Sequence, residues 1–242
     1  MKQDEYLKMY LFEDSHFWFV GKRFFIKIYL DKITNKISNI LDVGSGTGGT
    51  TKLLEKYGKV IGIEKNSFAQ SLSKKRGLKI VKGKAEKLSF KKNSFDLITI
   101  LDVLYHRDVK NIDEVLKEIS RVLKPGGFIL ITDSAFIFLH GNHGSSVYEK
   151  RRFTIKELKK ILYKNGFTTI NDSYMYFSIF PLVFLKRTII DLFLKSNKSD
   201  VFVIPKIFNL LLISILKLES LLINYVKLPI GSSLIILGQK NE

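Results

Sequence analysis

The chain has 242 residues, 45% of them hydrophobic and 26% charged, enough to bury one full core with an appendage and too apolar for a disordered chain. It contains no cysteine, which excludes disulfides and thiolate metal sites and suits a reducing compartment. The formal charge of +17 suggests nucleic acid, but lysines scattered among acids, without an Arg-aromatic cluster, form no recognisable nucleic-acid module, so none is expected as a partner; an anionic membrane surface fits that charge at least as well.

The first stretch, "MKQDEYLKMYLFEDSHFWF", has no uninterrupted apolar core ahead of a small-residue cleavage site, so it predicts no signal peptide and a cytoplasmic address. Residues 1–37 read as an N-terminal helical cap. Short β-rich apolar runs follow at 39–43, 59–64, 78–83, 95–102 and 127–133, mostly with helical stretches between them. Before the fifth run, Ile112, Val115, Leu116, Ile119, Val122 and Leu123 share one helical face that stops at Pro125 and two glycines. A sixth strand near 167–176 and an antiparallel last strand at 233–239 complete the pattern. It predicts an α/β fold: a doubly wound, mostly parallel, seven-stranded Rossmann-like sheet, with a helical insertion between the last two strands.

Such a sheet binds ligands outside the carboxyl ends of its strands, where the strand order reverses. The turn "GSGTGG" (44–49) follows the first strand and opens a helix, so it lies there. Glycines allow the backbone close approach, and free N–H groups at a helix start attract negative charge. Gly44, Gly46 and Gly49 also satisfy G-x-G-x-x-G, with Glu64 placed to take ribose hydroxyls, a weak dinucleotide signal by itself. Asp42 weighs against a pyrophosphate, because a carboxylate two positions before the first glycine suits an ammonium or sulfonium cation better.

With these features the sequence resembles the class I S-adenosylmethionine-dependent methyltransferases. The resemblance runs from 38 to about 175 and rests on Asp42-x-Gly44-x-Gly46-x-Gly48, Glu64 closing strand two, "GKAEKLSF" after strand three, "FDLITILDVLYH" around strand four, and "RVLKPGGFILIT". It implies S-adenosylmethionine as cofactor and a cofactor-binding core over 38–176. Asp42, Gly44, Gly46, Gly48, Glu64, Ala85, Glu86 and Asp102 would then be cofactor-binding residues, with Gly44, Gly46 and Gly48 shaping the methionine pocket, Glu64 taking the ribose, and Ala85 and Glu86 near adenine. Lys84 stands where the family often has an aspartate, and it has no acceptor for the adenine amine.

Two outer segments, "EDSHFWFVGKRFF" (13–25) and "YEKRRFTIKELKKILYKNGF" (148–167), resemble methyltransferases of surface-polysaccharide pathways. The acceptor this implies is a hydroxyl on a glycan or lipid-linked glycan intermediate; another small molecule, such as an isoprenoid quinone, is the alternative, and a non-catalytic scaffold the third reading. Arg151 and Arg152 are candidates for an anionic acceptor, since guanidinium forks match phosphate geometry, although charges at a helix start explain them equally well. Trp18 is either an aromatic wall for the substrate or part of a hydrophobic staple. His106, after strand four, is the first candidate general base, with His143 and Asp133 next. Two histidines spaced as His140-x-x-His143 are too few to hold a metal, and none is expected.

Residues 177–230 form an apolar helical insertion, and 231–242 the last strand. The insertion must emerge on the sheet edge that carries the cofactor and acceptor sites, as a lid would. Its long run at 207–227 is too costly to span a bilayer, with Lys217 and Glu219 near its middle. Ser214, Lys217, Ser220, Asn224 and Lys227 recur at helical spacing as one polar stripe with Glu219 off it. The broad apolar face predicts packing on the domain, a homodimer, or peripheral contact with the inner face of the membrane.

Overall fold

The computed structural model describes residues 1–139, 144, 147–187 and 204–242. Two helices come first, α1 (Gln3–Phe12) and α2 (Phe17–Leu30), followed by β1 (Asn39–Val43), α3 (Gly49–Leu54), β2 (Lys59–Glu64), α4 (Ser67–Lys75), β3 (Ile80–Lys82) and β4 (Phe95–Leu101). The chain continues through α5 (Ile112–Val122), β5 (Leu123–Ser134), α6 (Ile155–Lys164), β6 (Phe167–Met175), α7 (Phe180–Leu185), α8 (Lys206–Leu222) and β7 (Ser233–Lys240). The seven strands lie in the order β3-β2-β1-β4-β5-β7-β6, and β7 runs antiparallel to both neighbours. Strand order reverses beside β1, which pairs in parallel with β2 on one side and β4 on the other.

The expected mostly parallel, seven-stranded sheet is therefore the observed one. Ile40, Leu41 and Val43 of β1, Leu97, Ile98 and Ile100 of β4 and Ile129 to Ile131 of β5 are buried, the continuous apolar pattern of strands covered on both faces. Among the strand boundaries that differ from the sequence reading, two have a visible cause. β5 starts at Leu123, because Phe95 pairs with Leu123 across a register shift that takes Pro125 and the two glycines into the strand. β4 stops at Leu101, because Asp102 turns into the left-handed region with φ +57°.

One face of the sheet is closed by α2, whose Phe25, Ile26, Tyr29 and Leu30 are buried with Leu97, Leu130 and Ile235. α8 lies against α2. A Cβ at Gly21 would come within 2.5 Å of Leu216 Cδ1, so this crossing requires glycine. Asn209 ties the same two helices at their starts, accepting from the Phe17 amide at 2.9 Å and donating to the Ser15 carbonyl at 2.8 Å.

The polar stripe expected on the last helix turns out differently. Ser220 and Glu219 face inward, and Glu219 accepts from the amides of Phe177 and Ser178, both at 2.8 Å, and from the Ser178 hydroxyl. Ser214 and Lys217 of the stripe are exposed, Asn224 and Lys227 lie beyond the end of α8 at Leu222, and Glu219 is buried beside Leu216, where the amides at 177 and 178 satisfy its carboxylate. No helix among the described residues is long and apolar enough to cross a membrane.

Candidate active site

A cavity of about 700 Å³ opens at the carboxyl ends of β1, β2 and β4. Its floor is the glycine turn. Gly44, Gly46 and Gly48 have φ of +77°, +55° and +90°, and a Cβ at Gly44 or Gly48 would come within 2.3 Å of Val103 or Leu78, so conformation and space both require glycine. The turn is held by the Gly44 and Ser45 amides, which donate to the Ile63 carbonyl at 2.8 and 2.9 Å, and by the Gly46 amide, which donates to Glu64 Oε2 at 3.0 Å.

Glu64 closes β2 and is buried; its other oxygen accepts from the Asn66 amide at 2.8 Å. A carboxylate has about four acceptor positions, so two remain for hydroxyl donors in the cavity. Asp42 reaches the cavity wall from β1, fully buried, with Thr51 donating to Oδ2 at 2.6 Å and Thr99 to Oδ1 at 2.7 Å. Burial pushes its pKa up, against the two hydroxyl bonds. Ala85, Glu86 and Asp102 also line the cavity, as does Lys84.

The N-terminal helices supply the opposite wall. Glu13, which the sequence reading did not single out, accepts from the Thr47 hydroxyl at 2.7 Å and the Gly49 amide at 3.1 Å, and pairs with Arg76 at 2.9 Å. It thereby satisfies a donor at the start of α3 that a ligand could otherwise have taken. Tyr6 and Met9 of α1 and Trp18 and Lys22 of α2 line the space. Trp18 stacks on Tyr176 at 4.3 Å between ring centres, and the Tyr176 hydroxyl donates to the Trp18 carbonyl at 2.7 Å. The α2 start is capped by His16, whose Nδ1 accepts from the Trp18 amide. Trp18 is thus packed against Tyr176 and also lines the cavity.

The three candidate bases fare differently. His106 lines the cavity. Its Nδ1 accepts from the Asp108 amide at 3.1 Å, so the ring proton sits on Nε2, which lies 3.1 Å from the Met1 amine. Burial, then the neighbouring Met1 amine, Lys65 and Arg107, lowers its pKa to about 4. Burial likewise lowers the Met1 amine to about 5, so a neutral amine accepts from Nε2–H. Both ring nitrogens of His106 are thus engaged within the chain, Nδ1 by the Asp108 amide and Nε2 by the Met1 amine. Asp133 is fully buried beneath the loop, accepting from the Ser134 and Tyr105 amides at 2.8 and 3.2 Å, and does not line the cavity. Burial and nearby Asp102 raise its pKa well above the ordinary carboxylate value, and it is its place outside the cavity lining that separates it from the base role. His143 lies outside the described residues.

The arginine pair also departs from expectation. Neither Arg151 nor Arg152 lines the cavity. Arg152 is buried, doubly paired with Glu149 and donating to the Ala135 carbonyl at 2.9 Å, whereas Arg151 donates to the Val109 carbonyl at 2.8 Å. Both ends of that motif serve to fasten the 147–154 segment. Thr154 forms a capping box with Glu157 at the start of α6.

Sheet order, antiparallel β7 and the glycine turn define the class I methyltransferase fold, and the acidic, glycine-floored cavity fits a cationic nucleoside donor. Residues 41–131 match the family model described as a methyltransferase domain. A demethylmenaquinone methyltransferase of Staphylococcus aureus is 35% identical over 118 residues, covering 45% of this chain and 48% of that protein. The chain thus aligns with about half the length of the curated relatives it matches. Two solved structures share the fold: a SAM-dependent methyltransferase of Archaeoglobus fulgidus, with TM-score 0.61, 18% identity and 93% and 94% of the two chains covered, and one of Thermotoga maritima, with TM-score 0.60, 19% identity and 98% and 96% covered.

Proposed function

We propose that this protein transfers the methyl group of S-adenosylmethionine to an apolar, ring-bearing acceptor of the isoprenoid-quinol type. The observation that carries the reading is the two-sided lining of one cavity. Glycine turn and acids stand at the β1 and β2 ends, and Trp18, Phe19, Leu101, Val103 and Val109 stand towards α2 and the β4 loop. Glu64 would hold the ribose, Gly44 and Gly46 the methionine portion, and Ala85 and Glu86 the adenine. The donor, once bound, supplies an electrophilic methyl on a sulfonium.

The chain's own part is alignment and exclusion of water, which together can supply about 7 to 11 kcal/mol of a barrier. Asp42 and Glu64 would keep the sulfonium end electrostatically favourable, whereas Asp102 is already paired with Lys22. With neither His106 nor Asp133 set to take a proton, an acceptor whose own hydroxyl ionises readily, with a phenol-like pKa of about 10, suits this cavity better than a sugar hydroxyl. The Staphylococcus relatives named for demethylmenaquinone support the same choice.

A lipid-linked glycan is the second reading, favoured by the polar side of the cavity, where Ser134, Ser233 and Arg187 offer hydrogen bonds to sugar hydroxyls. The experiment is transfer of a radiolabelled methyl group from S-adenosylmethionine to a tailed naphthoquinol and, in parallel, to a lipid-linked sugar. Label in the quinol is the expected result; label only in the sugar selects the second reading, and none in either removes both. In a cell the enzyme would work on the cytoplasmic side, peripheral to the membrane that holds such acceptors.

A further inference from the structure

The helices between β6 and β7 present an apolar surface that nothing in the described structure covers. On α8 and the turn after it, Ile207, Phe208, Leu211, Leu218, Leu222 and Tyr225 are exposed, Ile207 at 80% and Tyr225 at 87%. Leu182, Phe184 and Leu185 of α7 are exposed too, and Phe184 meets exposed Phe138 edge to face at 6.2 Å. Scattered surface leucines need no explanation, but this many on consecutive elements mark an interaction face.

Charge selects the occupant. Across 177–187 and 204–231 the chain has five cations, Lys186, Arg187, Lys206, Lys217 and Lys227, and a single acid, Glu219. That acid is 4% exposed and turned inward onto Phe177 and Ser178. Lys227 is paired with Asp172 at 3.0 Å and Arg187 lines the cavity, so the exposed cations of α8 are Lys206 and Lys217, and no acid of that helix is exposed. Two copies packed through α8 would set Lys206 and Lys217 against their counterparts, with no exposed acid of that helix to offset them. An anionic bilayer meets both requirements, with acyl chains for the leucines and headgroups for the lysines. The 17 residues of α8 make a helix about 26 Å long, short of the roughly 30 Å hydrocarbon core, so it lies on the bilayer rather than through it.

The face adjoins the cavity. Asn209 at the head of α8 is bonded to Phe17 and Ser15, next to the cavity-lining Trp18, and Arg187 after α7 lines the cavity itself. We infer that α7 and α8 form an anionic-membrane docking face that holds the cavity mouth at the bilayer, from which an acceptor of the class proposed above would be drawn. Docking itself involves no acceptor.

Flotation of the full chain with phosphatidylcholine vesicles, with and without added phosphatidylglycerol, tests it. Expected is flotation that needs phosphatidylglycerol, weakens with salt and drops at least about tenfold in the exposed-residue variant Phe208→Ser/Leu211→Ser/Leu218→Ser/Leu222→Ser, while circular dichroism and calorimetric S-adenosylmethionine binding stay unchanged. Absence of flotation overturns the inference, as does a variant that floats like the parent. A parent that is dimeric and loses only dimerisation in the variant overturns it in favour of a copy-to-copy interface. Donor binding is read separately, so failure here leaves the proposed activity standing, and loss of donor binding in the parent would sink that activity without touching the docking result.

Discussion

The ammonium of Lys22 on α2 is paired with Asp102 Oδ2, while Asp102 Oδ1 accepts the Thr132 hydroxyl at 3.0 Å. The N-terminal helices are thereby anchored to the point where β4 ends, and Asp102 sits there at φ +57°. Asp102→Ala should cost about 2 to 4 kcal/mol of stability, since it removes both bonds and puts alanine in the left-handed region. Asp102→Asn, which tolerates that region and can keep the Thr132 bond, should lose less than half as much. Urea midpoints at unchanged m-value would measure both.

Arg152 provides a test of the corrected arginine role. Its guanidinium and the Glu149 carboxylate are almost fully buried, with side-chain exposures of 1% and 2%. Removing one partner of a buried pair strands the other, so Arg152→Ala should destabilise by about 3 to 5 kcal/mol. Arg151→Ala, losing one bond to a carbonyl, should cost about 1 kcal/mol and leave acceptor KM unchanged. A raised acceptor KM in Arg151→Ala, with stability intact, would return that residue to substrate recognition.

Glu64 shapes the glycine turn through the Gly46 amide as well as facing the cavity. Glu64→Ala should weaken S-adenosylmethionine by about 1.5 to 3 kcal/mol in calorimetry. Glu64→Gln keeps one acceptor oxygen and should fall between the two. Equal affinity in all three would place the ribose elsewhere.

Most of the sheet could be read from the chain because its strands are short, apolar runs buried on both faces, and β1, β2 and β7 fall within a residue of the expected bounds. Gly44, Gly46, Gly48 and Glu64 were legible for a related reason, since a positive-φ turn after a strand leaves a local spacing. Glu13 and Lys22 were not, because their roles depend on Gly49 and Asp102, 36 and 80 residues away, and no local pattern encodes that meeting. Arg152 misled for a different reason, since its partner is local but its burial is not. A guanidinium beside an aromatic looks like a phosphate site until its partner three residues back, Glu149, is seen buried with it. His106 does line the cavity, but its contacts with the Asp108 amide and the Met1 amine have no local signal in the sequence.

pH dependence should report the buried His106. Its pKa falls from 6.5 in the unfolded chain to about 4 in the fold, so protons bind the unfolded chain more tightly. Its contribution to stability is complete above 6.5 and is lost as pH falls through about 4. Allowing for its partial exposure, that loss should be about 1 to 2 kcal/mol, and His106→Gln should flatten this part of the profile. The rate profile of the parent should show no His106 step near 6.5. A step there that vanishes in His106→Gln would restore the histidine as a base.

The most direct test of the account is calorimetric titration of the full chain with S-adenosylmethionine, its demethylated product and NAD. The cavity has carboxylates at Asp42 and Glu64 around a glycine floor, which favours a sulfonium nucleoside over a pyrophosphate. Binding of the first two at one site per chain, weakened by Glu64→Ala, with no heat from NAD, is the result predicted. Heat from NAD and none from S-adenosylmethionine would contradict it.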